Sequence, residues 1–167
     1  GGKLTVCLAE YQTAGRGRRG RTWIAPSGCC LCFSVGWLYD RVPRDIAALA
    51  LAAGVVIRRA LQEAAGVTAQ LKWPNDVMVG NRKLAGILLE AHHLDSSKPL
   101  VLLGVGINLA KAENLELPSD IADLYLGLAE LEGTGEEGTL HQETLHALVR
   151  CLESRYDQWT SHGLGPL

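Results

Sequence analysis

The sequence predicts an α+β fold in which a mixed β-sheet is packed with helices. Short, partly β-branched apolar segments fill much of the first two thirds of the chain, and one long Ala/Leu-rich segment interrupts them. The last third repeats apolar residues at the 3.6-residue spacing of a helix. Strands that come mostly first, with helices between and after them, are typical of this class. We interpret residues 1–167 as one domain, because domains usually run about 100 to 200 residues.

Six segments are predicted to be strands because they are largely apolar and are bounded by Gly, Pro or polar residues. They are Leu4–Glu10, Cys29–Trp37, Gln70–Trp73, Asp76–Val79, Lys83–His92 and Leu100–Asn108. The intervening Gly80-Asn81-Arg82 indicates a hairpin between the fourth and fifth strands. In the last strand, Gly104 and Gly106 leave one face bare, so that a ligand or another backbone can approach closely.

Three segments are predicted to be helices. Asp45–Ala65 is Ala/Leu-rich, and Gly66 follows it as a C-terminal stop. Ser119-Asp120 can cap a second helix that runs through Leu128. The third helix is predicted within Thr139–Ser161, where apolar residues recur with helical periodicity.

Composition excludes several classes of protein. With 47% hydrophobic and 20% charged residues, the chain is not of the disordered kind. Its longest nearly uncharged apolar run, Ile46–Ile57, is shorter than the roughly 20 residues of a membrane-spanning helix. No secretory signal is recognisable, and three of the five cysteines fall within Cys29–Cys32. We therefore expect a cytoplasmic protein with reduced thiols and no membrane partner. Because the first residue is not Met, an origin within a longer chain is left open.

Positive charge is concentrated in one loop. The net charge is −2, from 16 basic and 18 acidic residues, yet four arginines lie within Arg16–Arg21. Glycines allow the Gly15–Arg21 segment to expose its amides, and arginine suits carboxylate and phosphate oxygens. An anion site is the natural inference, while a solvated basic loop and an RGG-like nucleic-acid contact stay open. The acidic remainder and the lack of a basic helix argue against nucleic acid.

Three further clusters place polar residues or glycines in apolar surroundings. They are Lys72-Trp73-Pro74-Asn75-Asp76, Arg82-Lys83-Leu84-Ala85-Gly86-Ile87 and Gly104-Val105-Gly106-Ile107-Asn108-Leu109. Each alone could be a turn, but together with the arginine loop they indicate a functional site. Cys30 and Cys32 would share one face of a strand, yet no second Cys/His pair has zinc spacing, so no zinc site is predicted.

These motifs, in this order and spacing, resemble the catalytic domain of biotin protein ligases, also called biotin–[acetyl-CoA-carboxylase] ligases. The resemblance spans Leu4 to Leu167 and is carried by Gln12, GRGRRGR, Trp23, KWPND, RKLAGIL and GVGINL. It implies the fold of class II aminoacyl-tRNA synthetases and biotinyl/lipoyl ligases. It also implies ATP and biotin as substrates, Mg²⁺ as the metal, and a lysine of a biotin carboxyl carrier protein domain as the acceptor.

The resemblance also implies roles for individual residues. Biotin-binding positions are matched by Gln12, Arg16, Gly17, Arg18, Lys83, Gly86 and Gly106. Positions near ATP or the adenylate are matched by Arg18, Arg21, Trp23, Lys72, Asn75, Asp76 and Asn108. Arg18 and Lys83 are the implied catalytic residues, because cations offset the repulsion between a carboxylate and a phosphate. The metal ligands are left unknown. Lys72 could instead pair with an acid, and Arg19 could face solvent.

The sequence departs from the family pattern at both ends. The strand that closes over biotin, the C-terminal β-barrel and the DNA-binding helix-turn-helix are not found in these residues. We therefore expect weak biotin binding, no DNA partner, and an exposed sheet edge that makes a homodimer one option. The alternatives are a lipoate or octanoate transferase and a non-catalytic biotin-binding remnant.

Overall fold

The computed structural model describes residues 5–38, 46–93, 99–110 and 117–131, together with residues 146, 147, 150 and 154. The six strands are β1 (Thr5–Ala9), β2 (Cys30–Leu38), β3 (Gln70–Lys72), β4 (Asp76–Val79), β5 (Arg82–His93) and β6 (Pro99–Asn108). The helices are α1 (Ile46–Ala65) and the short α2 (Ser119–Ala122). All six predicted strands and the first predicted helix are confirmed to within one or two residues. Gly66, with φ of +63°, follows α1 in the left-handed conformation that favours glycine.

The strands form one sheet in the order β1-β2-β6-β5-β4-β3. The α+β class is confirmed, but the expected mixed sheet is corrected, because each described strand pair is antiparallel. Parallel geometry occurs in the isolated bridge between Lys83 and Tyr125. Parallel neighbours need a crossover of about a dozen residues or more. The connections after β3, β4 and β5 have only three, two and five residues, so they favour antiparallel pairing.

One face of the sheet carries the hydrophobic core. Helix α1 packs against β3, β4 and β5, and its Ile57 and Leu61 are fully buried. Burial of each such side chain contributes roughly 1.5–3 kcal/mol. In β6, Val101 and its alternate neighbours through Ile107 join this core, so strand alternation sends Gly104, Gly106 and Asn108 to the opposite face. We call this opposite surface the site face. None of the described helices has the length and apolar content needed to cross a membrane.

The predicted helix from Ser119 through Leu128 is wrong in length. Helix α2 ends at Ala122, and its N-cap is Pro118, with no side-chain cap. The chain then turns and pairs with β5. The backbone N–H of Lys83 donates to the Leu124 carbonyl, and the Lys83 carbonyl accepts from the Leu126 N–H. This segment lies beside β5 where β6 has ended, and its pairing with β5 replaces further helical hydrogen bonds. Most of the predicted Thr139–Ser161 helix lies outside the described residues.

Candidate functional site

The strand register brings four small or polar residues into one row across the site face. Cys32 pairs with Gly106, Gly106 with Gly86, and Gly86 with Asp76. Directly paired residues of neighbouring strands point to the same face of a sheet. The two central positions have no side chain, so the row forms a depression between Cys32 and Asp76.

The indole of Trp23 lies over this depression. A Cβ at Gly106 would come within 2.4 Å of Trp23 Cε2, and one at Gly86 within 3.0 Å of Cζ3. A close approach to β6 thus occurs at Gly106 as predicted, but the approaching group is an indole ring and not a ligand or another backbone. At Gly104 the nearest atom would be 3.6 Å away, which is an ordinary contact. Trp23 Nε1 donates to Cys30 Sγ at 3.4 Å, which orients the ring.

Lys83 places a positive charge beside the depression, with its Nζ 3.3 Å from the position that a Cβ at Gly86 would take. Its Nζ is 2.7 Å from Asp76 Oδ1 and 5.4 Å from the centroid of the Trp23 ring. Asp76 Oδ1 is buried and has no aligned hydrogen bond, so charge attraction holds this pair together. The side chains of Lys83 and Asp76 are 29% and 26% exposed. Solvent therefore screens the pair only in part, and a ligand can still reach the ammonium group.

Two asparagine side chains brace β5 from either side. Asn108 is 4% exposed, and its Nδ2 donates to the Lys83 carbonyl at 3.1 Å. Asn75 Nδ2 donates to the Ile87 carbonyl at 2.9 Å, and the Ile87 N–H returns a bond to the Asn75 carbonyl. Asn75 Oδ1 also accepts from Arg18 Nη1 at 3.4 Å. Each of the two side-chain amides therefore lies beside β5 and donates a hydrogen bond to a backbone carbonyl of that strand.

The arginine loop is closed by its own backbone. Gly17 N–H donates to the Arg21 carbonyl at 2.7 Å, and Trp23 N–H donates to the Gly15 carbonyl at 2.9 Å. Arg19 and Gly20, with φ of 57° and 73°, make the left-handed turn between them. Such a turn is costly for a non-glycine residue, roughly 1–3 kcal/mol, so the surrounding backbone bonds must hold Arg19 there.

Two of the loop arginines reach other elements. Arg18 contacts Asn75, while Arg16 Nη2 forms an ion pair with Glu90 Oε2 of β5 at 2.9 Å. The Arg16 side chain is 65% exposed, so this pair contributes little stability. Arg19 and Arg21 are exposed. The loop thus presents Arg18 toward the strand-end motif and holds Arg16 at a carboxylate further along β5.

The structure gathers some of the predicted site residues and leaves others apart. Those around the Trp23 ring and the Lys83 strand are Arg18, Trp23, Asn75, Asp76, Lys83, Gly86, Gly106 and Asn108. Lys72 pairs with Asp76 in register, but its side chain is exposed. Gln12 instead lines a cavity of about 510 Å³ formed by residues of the 10–27 segment, including Gly15 and Trp23.

Sequence reasoning missed two features of this site. Glu90 was not expected to hold Arg16, because the two are 74 positions apart. Cys30 and Cys32 were expected to share a strand face, and this is confirmed. The contact between their sulfurs, which lie 3.2 Å apart next to Trp23, was not expected. A hydrogen bond from the Cys30 thiol lowers the pKa of Cys32, and the same bond and burial raise the pKa of Cys30. Among the described residues, no group of three or more His, Cys, Asp or Glu side chains could hold a metal ion.

Residues 2–108 match the family model of the biotin/lipoate A/B protein ligase family. The chain is 41% identical over 162 residues to the bifunctional ligase/repressor BirA of Salmonella typhimurium, covering 96% of this chain and 48% of that protein. It is 37% identical over 158 residues to the biotin--[acetyl-CoA-carboxylase] ligase of Mycobacterium tuberculosis, covering 92% of this chain and 54% of that protein. The chain therefore spans about half the length of these relatives.

Two solved structures share the fold. The biotin protein ligase from Aquifex aeolicus in complex with biotin and ATP has a TM-score of 0.66 and 32% identity, covering 89% of this chain and 60% of that one. The biotin protein ligase from Leishmania major in complex with biotinyl-5-AMP has a TM-score of 0.64 and 26% identity, covering 91% and 66%. These similarities confirm the fold that the sequence motifs implied.

Proposed function

Because this chain belongs to the biotin/lipoate A/B protein ligase family, we propose that it is an ATP-dependent biotin ligase. It activates biotin as biotinyl-5′-AMP and transfers the biotinyl group to a specific lysine of a biotin carboxyl carrier protein. The observation that carries the proposal is the position of Lys83, whose ammonium lies beside Gly86 and the Trp23 ring. The relatives named above as biotin ligases, and the neighbours solved with biotin, ATP or biotinyl-5-AMP, support the same assignment.

In the first step of the proposed reaction, a carboxylate oxygen of biotin attacks the α-phosphorus of ATP and pyrophosphate leaves. Both reactants are anions, so the step needs fixed positive charge where they meet. Lys83 and Arg18 are proposed to supply it. Lys83 approaches from β5 and Arg18 from the loop, and both lie within contact of the KWPND motif. Asp76 holds Lys83 in place until the substrate carboxylate arrives.

The depression at Gly86 and Gly106 is proposed to take part of biotin once the Trp23 indole, which lies directly against both glycines, moves aside. Its walls lack side chains at these two positions, and a Cβ at either would come within 3.3 Å of Trp23 or Lys83. Gln12, Arg16 and Gly17 are proposed as further biotin contacts. Gln12 supports this by lining the cavity beside Trp23, whereas Arg16 must first release Glu90.

The adenylate is proposed to bind beside Asn75, Asp76, Asn108, Trp23, Lys72 and Arg21. Mg²⁺ is proposed to enter with ATP, because this ion is usually held by one or two carboxylates together with substrate phosphates. Asp76 fits that role as the carboxylate beside the site, once Lys83, whose Nζ lies 2.7 Å from its Oδ1, turns to the substrate carboxylate. Bound there, Mg²⁺ would neutralise phosphate charge. In the second step, the carrier lysine amine attacks the mixed anhydride, forms the amide and releases AMP.

We also propose a cytoplasmic location and self-association through a sheet edge. The free thiols of Cys30 and Cys32 are consistent with a reducing compartment. Strand β1 ends the sheet, and its Val6 and Leu8 are 59% and 54% exposed. For the described residues we propose no DNA partner, although relatives are named repressors.

ATP–pyrophosphate exchange, measured in parallel with biotin and with lipoate, tests the proposed function. We expect exchange that depends on biotin. Exchange that depends on lipoate would instead assign a lipoate ligase, and biotin binding without exchange would indicate a non-catalytic binding protein. Transfer to a purified carrier domain, followed by intact mass, then tests the second step.

A further inference from the structure

Two buried thiols lie side by side on the site face. Cys30 and Cys32 are 6% and 2% exposed, and their Sγ atoms are 3.2 Å apart. They occupy alternate positions of β2, so both side chains leave the strand on the same side. Neither is in a disulfide. The pair adjoins Gly106, which is the β6 partner of Cys32, and the Trp23 ring that covers it.

The strand geometry favours a bridged pair of sulfurs over a direct disulfide. Alternate residues of an extended strand have Cα atoms about 6.6–6.8 Å apart, which is the upper limit of the range found in disulfides. A disulfide would also draw the sulfurs from 3.2 Å to about 2.05 Å. A single atom bonded to both sulfurs does not require them to move to disulfide distance. The pair is therefore arranged to chelate a single soft centre.

The surroundings of the pair support this chemistry. The hydrogen bond from Cys30 favours the thiolate form of Cys32, and a thiolate is the nucleophile in bonding to soft centres. The Cys30 sulfur accepts the indole N–H of Trp23, so both reactive atoms are held in fixed positions. Space for the rest of a ligand lies over Gly106, once the indole moves aside.

We propose that Cys30 and Cys32 form a dithiol site that captures one soft, thiophilic trivalent centre, for which an organic arsenical is the probe. With phenylarsine oxide, two As–S bonds form and the As–O bond breaks. The oxygen leaves as water with the two thiol protons, and arsenic stays trivalent, so no oxidant is needed. The adduct displaces the Trp23 indole from Gly106 and so competes with any ligand of the depression at Gly86 and Gly106.

The test uses the full chain with Cys7, Cys29 and Cys151 replaced by serine, so that only the pair remains. Intact mass after phenylarsine oxide treatment should show one adduct, which a dithiol removes and a monothiol does not. Adding Cys30→Ser or Cys32→Ser should make the adduct about 10²-fold more sensitive to monothiol, since the second As–S bond then cannot form intramolecularly. Circular dichroism checks that each serine variant is folded.

Equal monothiol sensitivity with one cysteine or two would overturn the proposal. So would preferential adducts at Cys7 or Cys29 in the unaltered chain. Trp23→Ala provides a second measurement, because removal of one neutral hydrogen bond and its covering ring should speed adduct formation at least about twofold. An unchanged rate would show that the pair does not react beneath Trp23. These readouts need neither biotin nor ATP, so they stand or fall separately from the proposed ligase activity.

Discussion

At the scale of single residues, Lys83, which is paired with Asp76, is the cation that we propose for the activation of biotin. Replacing Lys83 by Met should slow biotin-dependent ATP–pyrophosphate exchange at least about tenfold, because one charge-assisted contact is worth roughly 1.5–3 kcal/mol. Arg58→Met is the matched control, since it removes one exposed cation from helix α1 on the other side of the sheet. An unchanged exchange rate in Lys83→Met would remove this residue from the mechanism.

The two glycines of β6 provide a second prediction at this scale. A Cβ at Gly106 meets Trp23 at 2.4 Å, whereas one at Gly104 finds its nearest neighbour at 3.6 Å. Gly106→Ala should therefore displace the indole and lower the free energy of unfolding by about 1–3 kcal/mol, as overpacking does. Gly104→Ala should change it by no more than about 1 kcal/mol. Urea denaturation compares the two variants, and similar midpoints would contradict the placement of Trp23.

At the scale of elements, the arginine loop is tied down by a few backbone bonds and by exposed pairs such as Arg16 with Glu90. Its like charges repel one another and bury little surface, so an anionic ligand is needed to offset the entropy of ordering it. Amide hydrogen exchange over Thr13–Trp23 should slow when biotinyl-5′-AMP is bound. The amides of α1 act as an internal control, and equal loop protection in both states would argue against the loop as the anion site.

Strand β1 is the proposed site of self-association, because an edge strand with exposed apolar residues can pair with another chain. Val6 is 59% exposed at this edge. If self-association uses it, Val6→Lys should shift the dimer toward monomer in sedimentation velocity without altering stability by more than about 0.5 kcal/mol. Leu51→Lys, at a 37% exposed position of α1, is the matched control. A dimer that survives Val6→Lys would place the interface elsewhere.

At the scale of the whole molecule, the local pattern of the sequence determined the strands and helix α1. Alternating apolar residues, the Gly80-Asn81 turn and the Gly66 stop each act through their immediate neighbours, so they could be recognised without coordinates. The prediction failed for the helix proposed to continue to Leu128. There, pairing of Leu124 and Leu126 with Lys83 overrides the local preference, and those partners are some 40 positions away in the chain.

The same division applies to the site. The sequence by itself identified the residues with unusual chemistry, because arginine, lysine and amide side chains in apolar or glycine-rich segments need a reason other than core packing. Only the tertiary structure decided which of them meet. The register of β2, β6, β5 and β4 aligns Cys32 with Gly106, Gly86 and Asp76, and folding brings Trp23 over that row. These contacts join distant parts of the chain, and strand register depends on the packing of the whole sheet, which no local pattern encodes.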